Sequence, residues 1–393
     1  MGRIGIYGGA FNPPHTGHVQ VACYGVNALA LDKLLLIPSC DSPHKPLPEH
    51  SPNALQRLEM LRLATDWEDK ITVSDLEIRR GGTSYTFETL AQLREIYPED
   101  ELVLCMGTDM FLSFLSWREP ERILKDASLA VFYRGDPGEK EAVSQQKQSL
   151  EKLGAKIYTV ENPVTEISST DLRRMLIFRC AGAYLTDGVK GYIKENNLYG
   201  TGQSLKNLSV EALEKWVVSL LKPNRVAHVL GCRDTAVELA QLWGANETHA
   251  ARAALLHDIT KALDGAHQLT ICREYGIILD NFSQENPKTL HALTGSLVAE
   301  RVFGESDEVV AAIASHTTGK ENMNVLEKII YVADYVEPNR NFPGVDRLRK
   351  LAYTDLNEAL KLGLTMTLDM LKQQGKEISA KSLDALAYLN RYE

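Results

Sequence analysis

The chain has 393 residues, which sets a soft expectation of two or three domains. Apolar residues make up 44% and charged residues 24%, the mix of an ordinary soluble globular protein. The formal net charge of -9 argues against a broad duplex-binding surface, which needs a basic field over many phosphates, yet leaves room for a small phosphorylated ligand held by a few placed cations.

In chain order, Arg3–Tyr7 reads as a short strand and Val19–Leu31 as a helix. Lys33–Ile37 reads as a strand, Leu55–Trp67 as a helix and Ile71–Leu76 as a strand. Thr86–Tyr97 is helical, and Leu102–Met106, Ala127–Tyr133 and Lys156–Val160 are strands. Helices follow at Thr170–Ala181 and Asp187–Asn196. Such alternation implies an α/β domain with a mostly parallel sheet and helices on both faces. Ligands then bind at the carboxyl ends of the strands, near a switch point.

Tyr199-Gly200-Thr201-Gly202-Gln203-Ser204 is polar and glycine-rich, and marks a linker over 200–206 between domains at 1–199 and 207–393. Beyond it the period changes. Leu208–Leu221, Pro223–Leu242, Glu247–Leu256, His267–Tyr275, Leu290–Phe303, Asp307–Ser315, Val325–Val336, Val345–Lys372 and Ser382–Tyr392 all read as helices. The second half is therefore expected to be all-α.

Six cysteines occur without any Cys-x-x-Cys pair, which points to isolated reduced thiols. No apolar run approaches the ~20 residues that span a bilayer. Glycines, Asn12 and two prolines interrupt the N-terminal segment, so no signal core is expected there. A cytoplasmic protein without membrane partner follows as the expectation.

The first chemical signal is Gly8-Gly9-Ala10-Phe11-Asn12-Pro13-Pro14-His15-Thr16-Gly17-His18. Paired glycines let backbone approach a ligand and take up conformations that other residues resist. A helix opening near Thr16–His18 offers free N–H groups and a positive dipole end to phosphate. His15 and His18 are three residues apart, so both can face one ligand. Their donors suit oxygens on which charge builds during phosphoryl or nucleotidyl transfer. A second segment, Ile167-Ser168-Ser169-Thr170-Asp171-Leu172-Arg173, opens a later helix. One hydroxyl would suffice to cap that helix. Three hydroxyls plus Arg173 could clasp a triphosphate.

These two segments resemble the signature pair of the nucleotidyltransferases with a His-x-Gly-His motif. Over about residues 1–198 the sequence is similar to nicotinate-nucleotide adenylyltransferase. The likeness extends through Pro43-His44-Lys45, Arg57, Thr83-Ser84-Tyr85-Thr86, Gly107-Thr108-Asp109, Trp117 and Arg134. It departs from the commonest form at Ala10, where Ser or Thr is usual, and at Asn12-Pro13-Pro14. The missing hydroxyl at Ala10 bears on rate rather than reaction type.

The resemblance implies a Rossmann-like fold and attack by the phosphate of nicotinate mononucleotide on the α-phosphorus of ATP. His15 and His18 would stabilise the transition state. Gly8, Gly9, Ala10, Phe11, Lys45, Ser168, Ser169, Thr170 and Arg173 would bind ATP and its phosphates. Thr86, Gly107, Asp109, Trp117 and Arg134 would serve the nicotinate nucleotide. Thr86 and Trp117 would help form the ring pocket, and Asp109 would meet a ribose or the metal environment. Mg²⁺ would accompany ATP.

The helical half carries His228, His257-Asp258, His291, His316 and Asp334. Imidazole plus carboxylate is a transition-metal donor set. Each position falls in or at the end of a different expected helix, and ligands from facing helices meet inside a bundle. His257-Asp258 follows the apolar run Ala253-Ala254-Leu255-Leu256, so the pair should be buried, which is costly without a partner.

This order resembles the HD metal-dependent phosphohydrolases. Asn224-Arg225-Val226-Ala227-His228, His257-Asp258-Ile259-Thr260-Lys261, His316-Thr317-Thr318-Gly319 and Tyr331-Val332-Ala333-Asp334-Tyr335-Val336-Glu337-Pro338-Asn339-Arg340 make it similar to the bacterial HD group that cleaves diadenosine tetraphosphate symmetrically. The resemblance implies two metals bridged by Asp258. His228, His257 and Asp334 would hold one, and His291 and His316 the other. It favours iron, with manganese as the alternative. Lys261 and Arg340 are candidate polyphosphate contacts or solvated helix-surface charges.

The partners implied are ATP, nicotinate mononucleotide and diadenosine tetraphosphate, with no nucleic acid and with room for a homo-oligomer. Two other readings stand beside a bifunctional enzyme. The HD half could be a nucleotide sensor that regulates the transferase, or a hydrolase of another nucleotide.

Overall fold

The structure is a computed structural model that describes residues 2–41, 47–48, 51–163 and 167–392. The chain divides into two compact units, Met1–Gln203 and Ser204–Glu393. Among the described residues no helix is long and apolar enough to cross a membrane.

The first unit is built on six parallel strands: β1 (Arg3–Gly9), β2 (Lys33–Pro38), β3 (Ile71–Val73), β4 (Glu101–Gly107), β5 (Ser128–Phe132) and β6 (Ile157–Val160). Their order is β3-β2-β1-β4-β5-β6. This is the doubly wound arrangement, with its switch point between β1 and β4. In register, Ile6 pairs with Leu35 on one side and Leu104 on the other. Side chains alternate between faces. Leu35, Ile37, Leu102, Leu104 and Met106 join one core with Phe87, Leu90, Phe111 and Val143. Leu34, Leu36, Val103 and Cys105 join the other with Ala22, Val26 and Leu61. Helix Thr16–Ala28 packs close because position 25 is glycine. A Cβ there would lie 2.9 Å from the Phe132 ring.

Several helices of this unit were not expected: Leu76–Arg80, Thr108–Leu112, Pro120–Asp126 and Glu139–Glu151. The first three are five to seven residues long, too short to display a helical period. In Glu139–Glu151 the only buried apolar residues are Val143 and Leu150, so its stripe is thin. The strand expected over Ile71–Leu76 stops at Val73, and Leu76 already belongs to a helix.

Among its described residues the second unit contains helices and no strand. Helix Val325–Val336 is central and packs against Pro223–Trp243, Glu247–Leu256, Asp307–Ser315, Val345–Ala352 and Leu356–Gln373. Leu326, Ile329, Ile330, Tyr331, Val332 and Ala333 are all buried. A helix buried on nearly every side belongs in the middle of a bundle. The single helix expected over Val345–Lys372 is two, broken at Tyr353–Asp355. Asp355 accepts from the Glu358 N–H and so starts the second one. The helix expected over Leu290–Phe303 changes to a π turn at Ala299–Phe303 and ends at Gly304 with φ 69°.

Candidate active sites

At the switch point β1 runs into Gly8 and Gly9, which both lie in extended strand. The unusual conformation expected of the glycines falls on Phe11 instead, at φ 45° with its ring buried. What Gly8 supplies is space. A Cβ there would meet nothing of the protein closer than the Ile37 carbonyl at 4.0 Å. Ligand can therefore approach the backbone directly.

His15 is the extended N-cap of helix Thr16–Ala28. The His15 backbone N–H donates to His18 Nδ1 at 3.3 Å. Accepting there leaves the His18 proton on Nε2. The two rings lie against each other, tilted by 35°, with centroids 3.7 Å apart. Burial, and then the Arg134 charge, pushes His15 down to about 4. Burial, His15 and Arg134 hold His18 well below the ordinary histidine value. Both imidazoles are thus neutral hydrogen-bond donors near pH 7 rather than fixed charges.

Two arginines fix the loop. Arg57 is fully buried and donates to the carbonyls of Ala10 (2.6 Å), Ser39 (2.6 Å) and Cys40 (3.0 Å). It ties the loop after β1 to the end of β2. Arg173, in helix Ser169–Ile177, donates to the Asn12 carbonyl at 2.8 Å and to Thr170 Oγ1 at 3.1 Å. The two signature segments, 161 positions apart, are therefore joined directly. Ser168 caps its helix, accepting from the Asp171 N–H at 3.0 Å and donating to Asp171 Oδ2 at 2.7 Å. Ser169 and the exposed Thr170 form the first turn. Lys45, with Pro43 and His44, lies outside the described residues.

Gly107 ends β4, and Asp109 follows in the next turn. Asp109 pairs with Arg134 at 3.2 Å, both more than half exposed. A Cβ at Gly107 would stand 3.0 Å from the Arg134 guanidinium, so the glycine admits that side chain. Glu139 anchors the turn after β5 by accepting the N–H groups of Arg134 (2.7 Å) and Gly135 (2.8 Å). Thr86 opens helix Thr86–Ile96. Trp117 packs on Phe114, with ring centroids 5.4 Å apart. Arg118 lies over the Tyr85 ring at 4.6 Å, which brings the segments of Thr86 and Trp117 together.

In the second unit all six expected donors converge. Asp258 is fully buried. Its Oδ2 lies 3.7 Å from His228 Nε2 and 3.5 Å from His257 Nε2. Its Oδ1 lies 3.5 Å from His291 Nε2 and 3.8 Å from His316 Nε2. Asp334 Oδ1 stands 3.1 Å from His228 Nε2 and 3.9 Å from His257 Nε2. One carboxylate thus faces two imidazoles with each oxygen.

The tautomers follow from what lies behind the rings. His257 Nδ1 meets the Ala254 carbonyl at 2.6 Å, His291 Nδ1 that of Lys288 at 2.8 Å, and His316 Nδ1 that of Ile313 at 2.7 Å. Ala254 and Ile313 lie in the last turns of their helices, where carbonyls are left with acceptor capacity to spare. His228 Nδ1 instead meets Glu337 Oε1 at 3.1 Å. With the proton on Nδ1, each Nε2 turns a lone pair inward. The Nε2 atoms of His257, His291 and His316 are buried without a hydrogen-bond partner. Convergent lone pairs beside a buried carboxylate suit a divalent cation.

Burial pushes His316 down to about 4 and also lowers His257 and His291. Burial raises Asp334, but His228 and the surrounding positive groups outweigh it and hold the carboxyl well below its usual range.

The chain's own cations also reach these carboxylates. Arg225 pairs with Asp258 Oδ2, and Lys261 lies 3.0 Å from Asp258 Oδ1. Arg340 pairs with Asp334 Oδ1 and donates through Nε to the Asp334 carbonyl at 2.6 Å. Burial lowers Lys261 to about 8. Lys261 and Arg340 therefore line the centre rather than a solvated helix surface. Arg225, Glu337 and Cys232 received no role from the sequence. Cys232 brings its thiol 3.6 Å from His228 Nε2. The signal was one helical turn: Arg225 precedes His228 by three residues, Glu337 follows Asp334 by three, and Cys232 follows His228 by four.

Comparison with known proteins separates along the same division. Residues 6–175 match the cytidylyltransferase-like family model, and residues 225–339 match the HD domain model. A probable nicotinate-nucleotide adenylyltransferase from Borreliella burgdorferi is 35% identical over 198 residues, covering 50% of this chain and 96% of that relative. A symmetrical bis(5'-nucleosyl)-tetraphosphatase from Halalkalibacterium halodurans is 40% identical over 176 residues, covering 42% of this chain and 91% of that relative. Among solved structures, one described as a predicted HD superfamily hydrolase involved in NAD metabolism, from Clostridium acetobutylicum, is 38% identical with a TM-score of 0.46. The match covers 47% of this chain and 99% of that one.

Proposed function

The chain belongs to the nicotinate-nucleotide adenylyltransferase family over its first half and to the HD-domain family of symmetrical bis(5'-nucleosyl)-tetraphosphatases over its second, and from that premise we propose a bifunctional nucleotide enzyme. One observation carries the reading: Arg173 joins the two signature segments of the first unit, and four imidazoles of the second unit gather around Asp258 and Asp334.

In the first unit the phosphate of nicotinate mononucleotide attacks the α-phosphorus of Mg²⁺-bound ATP. The products are the deamido dinucleotide and pyrophosphate. No covalent enzyme intermediate is needed, because such transfer runs on positioning and charge stabilisation. His18 donates through Nε2, and His15 beside it, to oxygens that gain charge as the bond to pyrophosphate lengthens. Gly8 lets those oxygens reach the backbone. Arg173 holds the loop and the first turn of its own helix together around the phosphates. Asp109 and Arg134 border the nicotinate nucleotide, with Thr86 and Trp117 toward its ring. Ala10 lacks a hydroxyl, and its carbonyl is held by Arg57.

In the second unit diadenosine tetraphosphate and water give two ADP. His228, His257 and Asp334 would hold one metal, His291 and His316 the other, and Asp258 would bridge them. Bound there, two divalent ions supply an activated water and charge stabilisation for the attacked phosphate. Iron is the proposed metal, with manganese as the alternative. Arg225, Lys261 and Arg340, which reach the same carboxylates, would contact polyphosphate oxygens. A cytoplasmic setting, with reduced thiols, belongs to the same proposal.

The test uses the purified full chain. With ATP, Mg²⁺ and nicotinate mononucleotide it should form dinucleotide, and faster than with nicotinamide mononucleotide. With Fe²⁺ or Mn²⁺ it should convert diadenosine tetraphosphate to ADP alone. Binding of that compound without turnover would make the second unit a sensor. Turnover only of other nucleotides would replace its substrate.

A further inference from the structure

The last turn of the first unit reaches back into the proposed phosphate loop. Tyr199 lies in a short 3-10 turn, Leu198–Gly200, packed on helices Ser169–Ile177 and Asp187–Glu195. It is 6% exposed, and its hydroxyl donates to Asn12 Oδ1 at 2.8 Å across 187 positions. Asn12 is itself 2% exposed. Its Nδ2 donates to Ser51 Oγ at 2.9 Å, and its carbonyl accepts Arg173 Nη1 at 2.8 Å. Every polar atom of the Asn12 side chain is therefore used. His15 follows three residues later.

The backbone around Tyr199 is bent to make this contact. Asn197 (φ 52°, ψ 38°) and Tyr199 (φ 55°, ψ 28°) are both left-handed without being glycine, and Gly200 follows at φ 74°. Left-handed non-glycine residues persist only where the surroundings over-determine them. Burial keeps the Tyr199 hydroxyl protonated, so it remains a donor. Gln203, where the unit ends, is four residues further on.

We propose that Tyr199 is a positioning residue of the transferase: its hydroxyl holds Asn12 and thereby sets the turn from Phe11 to His15 that aims the two imidazoles at the transferring phosphate. The inference rests on the transferase reading above. It also means that the segment leading out of the unit is hydrogen-bonded to the loop that would do the chemistry.

The test compares Tyr199→Phe, Asn12→Leu, Asn12→Asp and the double variant Tyr199→Phe/Asn12→Leu in the full chain. Tyr199→Phe keeps the ring and loses only the donor. It should lower kcat by about ten- to a hundredfold, because small misplacement of reacting groups is costly. KM for both substrates should move by less than about threefold, since binding common to ground and transition states is kept. Asn12→Asp keeps an acceptor for Tyr199 but gives up the Nδ2 bond to Ser51, so it should retain more activity than Asn12→Leu. Asn12→Leu should lose at least as much as Tyr199→Phe, because its bond to Ser51 goes too, and the double variant should lose no more than Asn12→Leu alone, as expected of two partners in one contact. Thermal melting of each variant separates misplacement from unfolding. Wild-type kcat in a folded Tyr199→Phe, multiplied losses in the double variant, or a loss confined to KM would each overturn the proposal. Absence of dinucleotide synthesis by the wild-type chain would instead overturn the transferase reading itself.

Discussion

The two centres differ in what completes them. At the first, Gly8 is open, Asp109 and Arg134 are more than half exposed, and the imidazoles lie against each other. At the second, Asp258, His257 and His316 are 1% exposed or less, and three imidazole Nε2 atoms meet no hydrogen donor. Its lone pairs point at one another across a carboxylate. An open anion site can fold as it stands, because its empty state is simply wet. A closed site of lone pairs suits a resident cation. The same residue, histidine, is made a donor in one unit and an acceptor in the other. The difference comes from what occupies Nδ1: it accepts an N–H at His18, and faces a carbonyl at His257, His291 and His316.

The strongest way to break this comparison is a reciprocal pair of variants in the full chain. Asp258→Asn should release bound metal, read by elemental analysis, and abolish hydrolysis. Dinucleotide synthesis should stay within about twofold, because each site is built from residues of its own unit and shares no partner with the other. His18→Ala should cut dinucleotide synthesis by about 10²–10³-fold, the loss typical of one donor to a developing oxyanion. It should leave metal content and hydrolysis in place. Metal retained by Asp258→Asn, or near-normal synthesis by His18→Ala, would sink the corresponding assignment.

A smaller effect tests what backs the second centre. His228 alone rests on a carboxylate, Glu337, which is 1% exposed and also accepts the Asn339 backbone N–H at 2.7 Å. A carboxylate behind an imidazole raises its basicity as a ligand. Glu337→Gln keeps the shape and removes the charge. Metal affinity should fall by about 10–100-fold, the usual cost of losing such support. Chelator competition would read it, and unchanged affinity would reduce Glu337 to a structural role.

The sequence made the chemistry of both centres readable because their residue types are unusual and closely spaced. His15 and His18 share a helix start, and His257-Asp258 follows a buried apolar run. The clamps were harder to read. Arg57, Arg173 and Tyr199 act on the carbonyls or side chain of residues 10 and 12, from 47 to 187 positions away, and nothing local marks such a bond. Asn12 looked like a departure in the loop, whereas it is the group that the rest of the unit grips. The paired glycines suggested an unusual backbone turn, but sterics put that turn at Phe11, where the ring gains a buried seat. In the helical unit, element type was legible from period, while the break at Tyr353–Asp355 depended on an N-cap inside a long amphipathic stretch.

The smallest prediction concerns what the fold pays for an imidazole held neutral with no resident cation beside it. His15 is 7% exposed, and burial lowers it from 6.5 to about 4. The unfolded chain therefore binds a proton at His15 between those values, and the folded chain does not. Folding stability must fall as pH drops from 6.5 toward 4. For one such group the loss between pH 6.5 and 5.5 is about 1 kcal/mol. His15→Gln removes the titrating group. Urea unfolding of the first unit, run at both pH values, should show the variant gaining that amount on wild type as the solution is acidified. The m value should be unchanged, because the surface exposed is the same. Saturating ATP should shrink the difference, since phosphate beside the ring favours its charged form and raises its pKa. Equal pH dependence in wild type and variant would mean that His15 meets solvent freely, and the contrast between an open donor site and a closed acceptor site would then rest on His18 alone.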